Sequence, residues 1–378
     1  MAPPIVVLVR MLRPVLVIRF GALRSDRIGH FAAEPELYLC ERDAGMYGRR
    51  TVDILYYSHE VCNQQLGKMW ARNLRVSRFA RWPDTVNRLI PGGGKNVVPR
   101  RANDGAYDIY GLTMRTPPHL SFSSREEHLG RQALRSMGVT EGTPFICFAA
   151  RDSAYLKAKY PRDDLNYHDF RNSTIDNYVP AAEYLVKRGY FTIRMGAAVA
   201  EKLKPTDPRI LDYATNGSRI DFLDIYLSAK CRMFICSAEG IGGIPMIFRR
   251  PIVFVNWIPL GDIWTWSEDY LFIPKKLWLH RENRFMTFRE IYDSGVHLFH
   301  LTQQYERLGI DVVENTAEEI TAAVLEMDDR ISGRWQARED DRELQWQFWS
   351  RHKSAYAAIP PKCRIGAEFL RQNRDLLG

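Results

Sequence analysis

The sequence predicts an α/β protein of parallel sheets, arranged as two units that face a central cleft. Three observations carry this expectation. The chain has 378 residues, which at about 150 residues per domain suits two domains. Its composition is that of a globular protein, with 46% hydrophobic and 26% charged residues, which excludes a disordered chain and a polytopic membrane protein. From about residue 144 onward, short continuous apolar runs alternate with helical stripes, and strand-loop-helix units in succession specify parallel strands with helical crossovers.

In chain order, the stretch IVVLVRMLRPVLVIRF (5–20) comes first. Arg10, Arg13, Pro14 and Arg19 interrupt it, so it is too charged to span a bilayer, and no small-residue cleavage site follows. Val15–Phe20 reads as a buried strand. Pro4–Leu12 reads as an extended lead-in to the sheet, with an element lying on a membrane surface as the alternative. Gly29–Leu39 reads as helical or mixed, Val52–Tyr57 as a strand, and Cys62–Arg72 as a helix. Pro91–Lys95 is a loop, and the helix Arg125–Met137 ends at Gly138. A seam at Val139–Thr143 separates a first unit (1–140) from a second (141–335).

In the second unit, Pro144–Ala150 is apolar throughout, as a strand covered on both faces must be. Ile175–Arg188 carries the stripe Tyr178, Ala181, Ala182, Leu185 and Val186 and stops at Gly189. The strands Tyr190–Met195, Arg232–Cys236 and Pro251–Val255 follow, with a helix over Asp221–Lys230 and another running from the 237–240 turn toward Arg250. Ala317–Met327, Asp340–Trp349 and Ile365–Leu377 read as late helices. The segment 336–378 is expected to return toward the first unit.

Charge is unevenly placed. Residues 1–135 hold 21 Lys and Arg against 12 Asp and Glu, whereas the rest hold 32 against 33. The excess lies in the first third and suggests an anionic ligand or surface. No recognition motif accompanies it, so nucleic acid is not expected as a partner. The six cysteines form no C-x-x-C pair and read as buried free thiols of a reducing cytoplasm. The nine histidines are scattered and no D-x-D-like element follows a strand, so neither a metal nor a cofactor is expected.

Ligands of open parallel sheets bind at the carboxyl ends of strands. The tips offer Arg151, then Arg194 and Gly196, then Ser237, Ala238, Glu239 and Gly240, then Asn256. Cations, small residues and a helix start together suit a diphosphate, with Glu239 accepting from ribose hydroxyls. The first strand ends in a second polar cluster, Arg19, Arg24, Arg27, Asp26 and His30. Asp26 and His30 are the candidates for a general base. His168 and Arg171 form a third cluster that could close on the ligand. Gly240-x-Gly242-Gly243 does not complete a dinucleotide fingerprint, because Pro245 takes the last place.

The strings FRNSTIDNYVPAAEYLVKRGYFTIRMG (170–196), DFLDIYLSAKCRMFI (221–235), IFRRPIVFVNWIPLG (247–261) and LFIPKKLWL (271–279) resemble a bacterial glycosyltransferase family, as do IRFGALRSDRIGHF (18–31) and ELYLCERDAG (36–45). The resemblance implies a GT-B-like fold of two Rossmann-like domains, the first binding the acceptor and the second a nucleotide-sugar donor. A looser similarity to heptosyl- and fucosyltransferases implies that Ser237, Ala238, Glu239 and Gly240 contact the donor. The implied reaction moves a sugar to a hydroxyl of a glycan or lipid-linked acceptor without a metal. A nucleotide-sugar epimerase and a non-catalytic nucleotide-sugar or glycan-binding protein are the alternatives. The expected place is the cytoplasm, with the basic first unit resting on anionic lipid at the inner face of the cell membrane as a further partner.

Overall fold

Short β-branched and aromatic runs set the strands, and the polar breaks between them set the crossovers. A computed structural model describes residues 2–48, 50–99, 106–159, 166–354, 356 and 359–378. In the first unit the helix α1 (Ala2–Met11) precedes the strand β1 (Val17–Leu23). Then come α2 (Ile28–Asp43), β2 (Thr51–Tyr57), α3 (Gln64–Asn73) and α4 (Arg81–Leu89). β1 and β2 pair in parallel, and single parallel bridges to Val97 and Val76 widen the pair on either side. The extended lead-in expected at Pro4–Leu12 is instead helical. Its Val9 packs with Phe20, Tyr56 and Ala80 on one face of the small sheet, so burial of valine against the sheet overrides weak local helix propensity.

The helix α5 (Ser124–Ser136) opens with a reciprocal Ser123–Glu126 capping box and leads into the second unit. There the order is β3 (Phe145–Ala149), α6 (Ala154–Lys159), α7 (Val179–Lys187), β4 (Phe191–Arg194), β5 (Ile210–Asp212), α8 (Asp221–Lys230), β6 (Phe234–Cys236) and α9 (Gly243–Ile247). It continues with β7 (Ile252–Trp257), β8 (Tyr270–Pro274), β9 (Lys276–Leu279), β10 (Arg284–Phe285), α10 (Phe288–Asp293), α11 (Thr302–Arg307), β11 (Ile310–Val313), α12 (Ala317–Ile331), α13 (Asp341–Trp349), β12 (Arg364–Ile365) and α14 (Ala367–Gln372). Seven strands form one parallel sheet in the order β12-β8-β7-β6-β3-β4-β5, and β9 lies between β10 and β11 in a small antiparallel sheet. The arrangement is α/β, with two parallel units joined across a cleft. The C-terminal segment touches the first unit through Tyr356, whose ring centre lies 4.3 Å from that of Tyr107, but it packs mainly on the second. It adds β12 to the edge of the large sheet, and Glu326 of α12 accepts the Ala367 N–H at 2.6 Å, which docks α14 on the second unit. All six cysteines are unpaired, and only Cys62 is not fully buried.

The units meet through the starts of two helices. A Cβ on Gly29 would stand 3.0 Å from Gly240 Cα, and one on Gly243 would stand 3.2 Å from the Gly29 carbonyl oxygen. A side chain in those places would crowd the backbone opposite, and hydrogen there lets α2 cross closely over α9. Farther along the joint, Arg249 donates to the buried Glu36 at 2.6 Å, and His119 bonds both Glu36 and Asp43. Burial lowers the His119 pKa, but Cys40 and the two carboxylates outweigh it and carry the group up to about 10. Glu36, Cys40 and His119 lie close enough to offer ligands to an ion, yet Arg249 already occupies Glu36, which marks an ion network across the joint. At the start of α3, Asp221 accepts the Gln64 N–H at 2.7 Å, a second tie between the units.

The glycine contact yields a direct test. Gly29→Ala should cost about 1–3 kcal/mol, because its nearest obstacles are backbone atoms that cannot rotate away. Gly94→Ala, with open space around it, should stay within about 0.5 kcal/mol of the parent. Urea unfolding of the two variants measures the difference.

Candidate active site

The first and second units enclose a hollow of about 470 Å³ at the carboxyl ends of their parallel strands. That volume lies within the range of small-molecule sites. From the first unit it is lined by the loop after β1 and the first turn of α2, Asp26 through His30. From the second it is lined by the tips of β3, β4, β6 and β7, represented by Arg151, Gly196, Glu239 and Trp257. The hollow therefore lies where the sheet rule expects a ligand, at strand tips of both units.

Some helix starts in the chain are capped by side chains. Asn63 caps α3, and capping boxes close α5, α10 and α12. The start of α2, like those of α4, α7, α8, α9 and α13, has no side-chain cap: its cap residue is Arg27, and among the described residues no side chain bonds the N–H groups of its first turn. That open end faces the hollow, adding partial positive charge to a basic wall.

Three guanidinium groups gather there. Arg27, Arg151 and Arg171 line the hollow and repel one another. Burial, and then the charge of Arg151, lowers the Arg171 pKa to about 10. Arg151 is lowered too, by burial and Arg27, against the attraction of Glu239. His168 is pushed down to about 4 by burial and then by Arg171, Arg151 and Arg27, so it is neutral at pH 7. Arg171 donates to the Ala238 carbonyl, but its Nε and that of Arg151 are buried with no partner among the described residues. Buried donors without partners are rare in folded proteins, and a set of them around one hollow suits an anion.

Two carboxylates approach the same space. Glu239 is half-buried, and burial drives its pKa up to about 7 against the pull of Arg151. Among the described residues its Oε1 has no hydrogen-bond partner, nor does Oδ1 of Asp26, which Arg24 and His59 approach only to 3.8 and 3.7 Å. The Asp26 backbone is held in place by Lys159, which donates to its carbonyl at 2.7 Å. His30 also lines the hollow, but both of its nitrogens are engaged, with Glu34 at 2.8 Å and Arg24 at 3.3 Å. Asp26 is thus better placed than His30 to take a proton.

Of the residues singled out from sequence, Asp26, Arg27, His30, Arg151, Arg171, Gly196, Ala238, Glu239 and Gly240 meet in this hollow. The others do not line it. Arg19 points across the small sheet and binds Asp53 through two bonds of 2.6 Å. Arg24 stands behind the lining, on His30 and Asp26. Arg194 turns under the loop after β4, donating to the Glu201 carbonyl at 2.7 Å and facing Asp212. Ser237 accepts the Arg151 N–H at 3.1 Å and so fixes the β3 tip against β6. Asn256 exchanges 2.6 Å bonds with Asn315 on the far side of β7. His168 lies behind the arginines. The start of α9 is covered by Gly29, so the open helix end belongs to α2 and not to the 237–243 turn.

The sequence reading missed an aromatic wall. Tyr107, Tyr356, Trp257 and Trp264 line the hollow, with the two tyrosine rings 4.3 Å apart and the two indoles 6.0 Å apart. Asp262 joins them, its backbone carbonyl accepting from Tyr107 at 2.8 Å. The signal was available in WIPLGDIWTW (257–266), where three tryptophans follow a strand tip within ten residues. Tyr107 and Tyr356 come from distant loops and had no such signal.

No protein-family model matches the chain, and no curated protein matches it. Among solved structures it is similar to E. coli ADP-heptose LPS heptosyltransferase II, at 14% identity and a TM-score of 0.36, covering 63% of this chain and 84% of that one. It is also similar to a glycosyl transferase family 9 structure from Veillonella parvula DSM 2008, at 12% identity and a TM-score of 0.37, with coverages of 64% and 80%. A third likeness is to E. coli heptosyltransferase WaaC with ADP, at 10% identity and a TM-score of 0.29, with coverages of 64% and 87%.

The raised Glu239 pKa sets a pH dependence. A carboxyl that holds its proton more tightly when folded stabilises the fold below its ordinary value of 4.5, and that contribution is lost as pH rises through about 7. Urea titrations of the ligand-free protein from pH 4.5 to 8 should therefore show a decline that is shallower in Glu239→Gln.

Proposed function

We propose that the chain is a glycosyltransferase of GT-B type, moving a sugar from a nucleotide-sugar donor to a hydroxyl of a glycan or lipid-linked acceptor. The observation that carries this reading is the convergence of Arg27, Arg151 and Arg171 with the uncapped start of α2 on one hollow between two parallel units. A pyrophosphate satisfies the partnerless guanidinium nitrogens and relieves their mutual repulsion. As the bond from sugar to phosphate breaks, negative charge grows on the leaving diphosphate, where these fixed cations stabilise it. They supply the charge that a divalent ion otherwise supplies, so the proposed reaction is metal-independent.

Asp26 enters from the first unit and takes the proton of the acceptor hydroxyl. Glu239 enters from the second unit and bonds donor hydroxyls, as acceptor or, when protonated, as donor. The aromatic wall gives the nucleobase or the sugar an apolar face to lie on. A nucleotide-sugar epimerase is the second reading, favoured by the two carboxylates that line the hollow from opposite units.

Purified protein separates these outcomes. Arg151→Ala should weaken nucleoside diphosphate binding about 10- to 100-fold, the loss of a charge-assisted contact. Asp26→Asn should keep donor binding while slowing transfer by about 10²-fold or more. Full binding and transfer in Arg151→Ala would remove the proposed donor site. Epimerised nucleotide sugar formed without any acceptor would establish the second reading.

A further inference from the structure

The first unit turns an unusual surface outward. α1 and α4 cover the face of the small sheet opposite α2 and α3, which carry the joint to the second unit. On an ordinary surface helix the charged side chains face water and the apolar ones face the core. α1 departs from this: Val6 and Val9 do face the core, but its outward side is apolar and its one arginine is not on it. Arg10 is folded inward, donating to the carbonyls of Asn87, Ile90 and Pro91 at 2.9–3.0 Å. Arg13, just beyond the helix, donates likewise to Gly92 and Asn96. The residues left facing out are Ile5 (46% exposed), Val7 (55%), Leu8 (59%) and Met11 (72%).

The packed neighbour α4 continues the pattern. Phe79 is 69% exposed, Trp82 71% and Leu89 79%, and Trp82 and Leu89 share one side of the helix at a spacing of seven. Exposed apolar side chains gathered on two packed helices mark an interaction surface. The charges around it identify the partner. Between residues 61 and 99 the sole carboxylate is Asp84, and it is buried, bonded by Tyr56 and Arg88. Arg75, Arg78, Arg81, Arg88 and Lys95 are all exposed, and the Arg78 guanidinium lies 5.0 Å from the Phe79 ring centre. A second copy of this basic face would be repelled. Among the described residues no helix is long and apolar enough to cross a membrane.

We infer that the α1/α4 face docks on the surface of an anionic lipid bilayer. Ile5, Leu8, Trp82 and Leu89 enter the boundary between headgroups and acyl chains, and the arginines beside them meet lipid phosphates. The inference stands apart from the sugar-transfer reading, since it uses none of the residues of the hollow.

Flotation of the purified full chain with vesicles tests it. The parent should float with vesicles containing phosphatidylglycerol and stay below with phosphatidylcholine alone. The pairs Trp82→Ser with Leu89→Ser, and Arg78→Gln with Arg81→Gln, should each weaken binding about tenfold or more, while circular dichroism and melting temperature stay unchanged. Added salt should weaken the parent's binding. Brominated lipid should quench a part of the tryptophan fluorescence that is missing in Trp82→Phe. Failure of the parent to bind anionic vesicles, equal binding to both vesicle types, or binding unaltered in both variant pairs overturns the inference. So does a dimer in solution that the Trp82→Ser, Leu89→Ser pair abolishes while vesicles bind nothing.

Discussion

The close crossing of α2 over α9 is the constraint on which the rest depends. Three glycines, Gly29, Gly240 and Gly243, let backbone lie on backbone where a side chain would crowd the chain opposite. Because α2 begins at the tip of β1 and α9 follows the tip of β6, joining their starts brings the carboxyl ends of two parallel sheets to one place. The apolar core then runs unbroken from Phe31 and Trp70 of the first unit into the large sheet, and Arg249 on Glu36 locks the far end of the crossing. The hollow is a product of that joint.

Electrostatics then decide what the hollow is fit for. Holding Arg151 and Arg171 together out of water, with the exposed Arg27 beside them, is unfavourable, and the protein offsets it only in part with Glu239, Asp262 and their neighbours. Ser237 and Asp152 hold the backbone around Arg151, and Arg171 is tied to the Ala238 carbonyl, so these two cations are anchored beside the hollow. A site assembled against its own repulsion is preorganised for an anion and needs little rearrangement when one arrives.

Much of this was legible in the sequence. The strands at 52–57, 144–150 and 190–195 and the helices at 221–230 and 317–327 announced themselves by length, period and glycine stops, and strand tips pointed to the hollow. Side-chain direction was not legible. A central strand that is apolar on both faces hides its alternation, so nothing told Arg194 or Asn256, which turn away, from Arg151, which turns in. The α1 helix was hidden for a related reason: its valines read as extended chain until the sheet offered them a surface. The strands β8 through β12 lie among aromatic and charged residues without clear period, and the pairing that makes them strands comes from neighbours far along the chain. Tyr107 and Tyr356 illustrate the same limit, since only the folded chain brings them together.

The edge strand β12 has a consequence for how the protein is made. It pairs with β8 from residues 364–365, while the small sheet of the first unit is complete within residues 17–98. During translation the first unit can assemble while the ribosome is still producing the rest. The large sheet must wait, its β8 margin unpaired, until residues 364–365 have emerged. Nascent chains stalled in that interval carry an open strand margin, the kind of edge on which chaperones act and aggregates start.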